Sequence, residues 1–294
     1  MRTTTCTTPS NCWAGERMPY LSRIRINPLR AESRRYLESP RAVHGAVMGG
    51  LPDAADDERP LWRMDSDDPH RPHLVVLTRS RPDWSHVVEH AGWPGADGDH
   101  VLVRDYAPLL ALIEPGRAFA FRLTANPVQN APTPTSPTAA QRKRIAEEQD
   151  PTRRRGFRMA HRTAAEQLRW FLERTERWGF AVPASRTDPP ASGLGTSHAA
   201  VPDASGGTRT RTSPDPTDPV PREVRITGRH RRAFTKNGRG AKVIVTSVTF
   251  EGRLEVTDAK ALTHHLLSGI GPAKAYGCGL LTLAPVRSGS GANG

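Results

Sequence analysis

Pro19-Tyr-Leu-Ser-Arg-Ile-Arg-Ile-Asn27 alternates apolar and polar side chains, the pattern of a strand with one face buried. Downstream, Ser39-Pro-Arg-Ala-Val-His-Gly-Ala-Val-Met-Gly-Gly50 supplies a serine N-cap, a proline at the first helical position and a glycine stop. A helix is therefore predicted over 40–48. Short apolar runs at 61–64 and 74–78 read as strands, 99–104 as a further short strand and 106–113 as a short helix. Residues 116–126, with Ala118-Phe-Ala-Phe-Arg-Leu123, read as a strong strand. Strand, helix, strand, strand, helix, strand is the ferredoxin-like order, so a first domain is expected over 18–126.

A proline- and threonine-rich run opens a linker placed at 127–145, and a basic segment covers 141–158. Helical spacing of Ala164, Leu168, Phe171, Leu172 and Trp178 predicts a helix over 161–178. Residues 183–221 are rich in Pro, Ser, Thr, Gly and Asp and read as a disordered insertion. Strands are expected at 224–227, 242–250, 253–256 and 280–283, with a helix from 257 or 258 to 267. The second domain, 146–294, is thus also α+β, although no transparent sequence repeat links the halves. The fold expected is two tandem ferredoxin-like (βαββαβ) domains.

The chain has 294 residues, a formal net charge of +12 and, with 27 prolines and 25 glycines, only 36% hydrophobic residues. Part of it is not expected to join a core. The positive charge is carried far more by arginine than by lysine, which suits bidentate phosphate contacts and points to a polyanionic partner. A GC-rich genome, favouring arginine codons, is the bland alternative. Three cysteines without a CxxC pair or a disulfide framework fit a reducing cytoplasm. Residues 1–17 lack a signal-peptide core and read as an upstream start or a disordered leader before Met18, and no stretch is long enough to span a membrane.

Gly269-Ile-Gly-Pro-Ala-Lys-Ala-Tyr-Gly-Cys-Gly279 carries two Gly-x-Gly pairs around Lys274 and Tyr276. It lacks the Gly-x4-Gly-Lys-Ser/Thr order of a P-loop and the third glycine of a dinucleotide fingerprint. A tight packing turn and a phosphate-contacting loop both remain open, with Lys274 either on a phosphate or capping the preceding helix. A basic patch, Arg222, Arg225, Arg229, Arg231, Arg232, Lys236, Arg239 and Lys242, surrounds Phe234 and the hairpin signal Asn237-Gly238. Such a hairpin suits an RNA backbone or the base of a stem; the bland reading is a solvated hairpin.

Among eleven histidines, His44 stands out because it lies on the first helix one turn after Arg41. A helical histidine is more often a surface or packing residue than a catalyst. No His-Glu-x-x-His, calcium loop or zinc-like cluster exists, and the adjacent His264 and His265 point apart. Asp56, Asp57, Glu58, Asp65, Asp67 and Asp68 read as a solvated acidic loop.

Met18-Pro-Tyr-Leu-Ser-Arg-Ile-Arg-Ile-Asn27 and Val43-His-Gly-Ala-Val-Met48 resemble the opening of the CasE family of CRISPR-associated endoribonucleases. His161-Arg-Thr-Ala-Ala-Glu-Gln-Leu-Arg-Trp170 is similar to its central helix, and Phe250-Glu-Gly-Arg-Leu-Glu-Val-Thr-Asp258 with the glycine loop to its C-terminal signature. The resemblance implies two tandem ferredoxin-like domains of the repeat-associated RNA-binding (RAMP) type. It also implies a cytoplasmic nuclease that cuts CRISPR precursor RNA at each repeat hairpin and stays on the product as a Cascade subunit. Its partners would be the repeat hairpin and the other Cascade subunits. No metal and no cofactor is implied. The family's active-site histidine carries over to His44, as general base or general acid. Where some members place a tyrosine one turn earlier, this chain has Arg41, to which an assisting catalytic role is assigned. RNA contacts are assigned to Arg229, Arg231, Arg232, Lys236 and Arg239, and to Gly269, Gly271, Lys274, Gly277 and Gly279. The Arg41 departure also leaves open a non-catalytic RNA-binding assembly subunit of the same fold.

Overall fold

The alternation at 19–27 becomes β1 (Tyr20–Arg25), which buries Ser22 and Ile24 and exposes Arg23. The computed structural model describes residues 18–52, 55, 57–96, 98, 100–134, 137, 139–147, 156–185, 221–235 and 242–286. After β1 come α1 (Ala31–Glu38), α2 (Pro40–Gly49), β2 (Leu61–Asp65), β3 (His73–Thr78), α3 (Ser85–Ala91) and β4 (Val101–Asp105). The strands form an antiparallel sheet in the order β2-β3-β1-β4, the ferredoxin-like arrangement. One face packs on the helices through Ile24, Val43, Val47, Trp62, Leu74 and Val76. Its other face presents Leu61, Val75 and Leu77 to the second domain. Both faces of β3 are therefore buried, and its core reads as a continuous apolar run, Leu74-Val-Val-Leu77.

The short α4 (Ala107–Leu110) leads into β5 (Ala118–Ala125). Next are β6 (Val128–Ala131), α5 (Ala139–Glu147), β7 (Phe157–Ala160), α6 (Ala164–Leu172) and β8 (Phe180–Ala181). The chain ends with β9 (Val224–Thr235), β10 (Lys242–Val256), α7 (Ala259–Ser268) and β11 (Leu281–Pro285). The second sheet runs β11-β5-β10-β8, with β9 also on β10. Because β5 lines one edge of β10 as far as Glu255, β8 and β9 share the other edge as two pieces of one strand position. The order is again ferredoxin-like. Phe171 of α6 stacks on Phe250 at 4.7 Å and on Phe121 at 5.6 Å beneath this sheet.

Several expectations are corrected. The strand expected to close the first domain, at 116–126, is β5 of the second sheet, where its buried Phe119, Phe121 and Leu123 meet the second core. The first domain instead takes β4 and α3, and the second unit starts before 146. The linker expected over 127–145 holds β6, paired with β7, and most of α5. Helix 161–178 ends at Leu172 and is followed by a separate turn, Glu176–Trp178. The expected strands 242–250 and 253–256 are one strand. Glycine is needed at 252 within it, because a Cβ there would lie 2.0 Å from the Glu223 carbonyl oxygen. The leader at 1–17, and most of the 183–221 insertion, lie outside the described residues.

The two sheets are joined by Arg63 of β2, only 4% exposed. Its Nε and Nη2 hold the Asp65 carboxylate at 2.6 and 3.0 Å. Nη1 donates to the carbonyls of Arg122 and Leu280 at 3.1 and 3.2 Å, and Nη2 to Thr282 Oγ1 at 3.1 Å. All five guanidinium donors are used, three of them across the domain boundary. Arg122 pairs in turn with Asp65, Asp67 and Glu251. We predict that Arg63→Ala, which leaves Asp65 with Arg122 alone and removes a donor from three acceptors across the boundary, lowers stability by about 1–3 kcal/mol in denaturant unfolding. An unchanged midpoint would mean that the domains dock without this clamp.

Candidate active site and nucleic-acid interface

Helix α2 starts where the sequence predicts: Ser39 Oγ accepts from Ala42 N at 3.4 Å and Pro40 opens the first turn. Burial of Val43 and Val47 against the sheet leaves His44 half-buried at the rim. Its Nδ1 is enclosed without a hydrogen-bond partner. Burial lowers the His44 pKa, so the neutral imidazole is favoured. Arg41, one turn earlier, is exposed.

The glycine loop packs against both α2 and β2 through its short turn Lys274–Tyr276. At Gly277, φ is 81° and a Cβ would meet the Trp62 ring at 2.7 Å; at Gly269, φ is 78° and a Cβ would meet Leu61 at 2.6 Å. Glycine is required because the loop backbone lies directly on the first domain. The loop packs closely at Gly269 and Gly277. Gly269, Gly277 and Gly279 are buried, and Gly271 is exposed. Lys274 Nζ donates to the Ser268 carbonyl at 2.5 Å, so it caps α7. Its pKa is lowered, first by burial and then by Arg59. Cys278 is fully enclosed and its thiol is pushed up to about 12, which leaves it inert as a nucleophile.

Strands β9 and β10 pair from Gly252↔Val224 out to Lys242↔Thr235, while β5 stops opposite Val248. The outer part of this hairpin therefore projects beyond the sheet as a two-stranded arm. Arg229 and Arg231 are exposed on one face, and the Arg229 guanidinium donates to the Arg162 carbonyl. His230, Arg232 and Phe234 alternate onto the other face, where Phe234 meets Tyr276 edge-on at 4.9 Å. Arg232 is half-buried, and burial lowers its pKa. Lys236, Arg239 and Asn237-Gly238 lie outside the described residues.

Between the domains lies a cleft of about 370 Å³ whose walls include Trp62, Arg63, Arg122, Thr249, Arg232 and Tyr276. The structure thus gathers the helix of His44, the turn of Lys274 and the arm of Arg232 around one boundary. Sequence reading missed the roles of Arg63 and Arg122; their signal was a lone charge inside an apolar strand pattern. It also misplaced two residues of the acidic group, while Asp57, Asp67 and Asp68 are exposed as expected. Asp65 ends β2 and pairs with Arg63, while the buried Glu58 accepts from Arg79 N at 2.7 Å and Ser80 Oγ at 3.0 Å. Among the described residues, no group of three or more His, Cys, Asp or Glu could hold a metal ion, and no helix is long and apolar enough to cross a membrane.

A family model described as "CRISPR associated protein" matches residues 19–285. The chain is 28% identical over 272 residues to the CRISPR-associated endoribonuclease Cse3 of Thermus thermophilus, covering 90% of this chain and all of that protein. A 53-residue stretch is 49% identical to the CRISPR system Cascade subunit CasE of Escherichia coli, 18% of this chain and 26% of that protein. In three dimensions the chain is similar to Thermus thermophilus Cse3 bound to an RNA representing a pre-cleavage complex. The TM-score is 0.61 at 26% identity, covering 91% of this chain and all of the other.

We predict that Gly277→Ala forces a Cβ into the Trp62 ring at a positive φ that by itself costs about 1–2 kcal/mol. Stability should fall and Trp62 fluorescence shift; a variant matching the parent in both would show that the loop does not bear on Trp62.

Proposed function

The chain belongs to the CRISPR-associated protein family, and on that premise we propose that it is an endoribonuclease cutting CRISPR precursor RNA at repeat stem-loops. It remains on the cut hairpin as a subunit of Cascade. The similarity to an endoribonuclease, and over a shorter stretch to a Cascade subunit, supports both parts of this reading.

The observation that carries the chemistry is His44: half-buried, with a lowered pKa, on the helix that abuts the glycine-loop turn at the domain boundary. The ribose 2′-hydroxyl adjoins the scissile phosphate, so holding the backbone in line makes the attack intramolecular. Such positioning is worth up to about 7–11 kcal/mol. A neutral His44 takes the 2′-hydroxyl proton as general base, a role worth about 10²–10⁴-fold. The phosphorane charge is met by guanidinium groups, with Arg41 the nearest candidate in sequence. The P–O5′ bond breaks and the leaving 5′-oxygen takes the proton held by His44, directly or through water, giving a 2′,3′-cyclic phosphate and a 5′-hydroxyl. No step calls for a metal ion. Arg229 and Arg231 on the arm, with Lys236 and Arg239 next in sequence, supply phosphate contacts to the hairpin.

The test is cleavage of the chain's own repeat RNA in EDTA. Wild type should cut, His44→Ala should lose at least about 100-fold in rate, and its hairpin affinity should stay within a few fold. Binding without cleavage by wild type would instead favour a non-catalytic assembly subunit. Loss of cleavage in EDTA that returns with a divalent ion would overturn the metal-free route.

The pH profile gives an independent check. Burial lowers the His44 pKa, so the neutral base persists below the ordinary imidazole value of about 6.5. The single-turnover rate should be flat through neutral pH and fall only as pH drops through the lowered pKa. A rate that falls as pH rises through that range would make His44 the general acid.

A further inference from the structure

Tyr276 and Phe234 belong to neither hydrophobic core, yet both are half-buried and in mutual contact at 4.9 Å with their rings inclined by 62°. Tyr276 lines the interdomain cleft, whose neighbouring wall carries Arg229, His230 and Arg232. No described carboxylate pairs with Arg232. The titratable group that faces it is the Cys278 thiol, which burial keeps neutral. A half-buried guanidinium without a counter-charge is costly unless an anion arrives from outside. Aromatic faces beside such a cation suit a base and its phosphate.

The turn that holds Tyr276 is fixed from several sides. Gly277 lies on Trp62, Lys274 reaches back to the Ser268 carbonyl, and Ala273 has φ 67°, the one positive φ at a non-glycine among the described residues. Strain of this kind persists where surrounding structure over-determines it, and it positions a side chain precisely. A base inside a duplex has both faces stacked, so a protein platform takes a base that is unpaired. The same turn packs on α2, the helix that carries His44.

We propose that Tyr276, backed by Phe234, is the platform on which one unpaired nucleobase flanking the cut stacks, and that Arg232 holds that nucleotide's phosphate. This rests on the endoribonuclease reading and adds a positioning residue from the second domain to it.

The probe is the chain's own repeat hairpin RNA, with 2-aminopurine placed in turn at each unpaired position flanking the stem and a 2′-deoxy sugar at the cut. Binding of wild type should quench one position several fold. Tyr276→Leu, which keeps the bulk in the turn, should abolish that quench, and Tyr276→Phe should retain it. With unmodified RNA, Tyr276→Leu should slow cleavage at least about tenfold while hairpin affinity, set mainly by phosphate contacts, stays within about threefold. Arg232→Gln should lower the salt slope of binding by about one phosphate contact. Quenching by Tyr276→Leu equal to wild type, or no quenched position in an enzyme that cuts the unmodified hairpin, overturns the platform and leaves the nuclease reading intact. A wild type that neither binds nor cuts the hairpin overturns the nuclease reading and the platform with it.

Discussion

A single guanidinium holds the two halves of this molecule in register. Arg63 sits at the edge of the first sheet, satisfies Asp65 on its own strand, and gives its other donors to the backbone and side chain of β5 and β11. Buried arginine is tolerated only when every donor is met, so the geometry on both sides of the boundary is constrained by one planar group. The apolar face formed by Leu61, Val75 and Leu77 then merges with the core around Phe119 and Phe171. The domains pack as one body, and the glycine loop can lie directly on Leu61 and Trp62.

The candidate site follows from that docking. Helix α2 belongs to the first domain and the Lys274–Tyr276 turn to the second, yet they touch. Burial acts on each titratable group according to its charge: it favours neutral His44 and a protonated Cys278, and it burdens Arg232 with a charge that no described acid balances. On the proposed mechanism the neutral imidazole would take the proton of a ribose 2′-hydroxyl, and the unbalanced cation would meet the charge of a phosphate.

Some elements were legible because their signals are local. The Ser39-Pro40 start of α2 and the alternation of β1 needed no tertiary context. Helix α1 was missed because it buries only Ser33 and Tyr36 and has no side-chain cap, and α3 because only Val87 and Ala91 face the core. Strand β5 was recognised as a strand but assigned to the wrong sheet. Alternation says that one face is buried and nothing about the partner. Lys274 carries a charge that sequence could aim at a phosphate or at a helix end; in the fold its ammonium donates to the Ser268 carbonyl at the end of α7.

By itself, the sequence determined the strand and helix periods, the basic arm, the glycine positions and His44 on an early helix, because each depends on neighbours within a few residues. The tertiary structure alone decided which sheet takes β5, why Arg63 is buried, that glycines in the loop face Trp62 and Leu61 instead of solvent, and that Tyr276 meets Phe234 in the cleft. The physical reason is that burial and pairing are properties of surfaces brought together from distant parts of the chain. A residue's charge and shape restrict its partners without naming them.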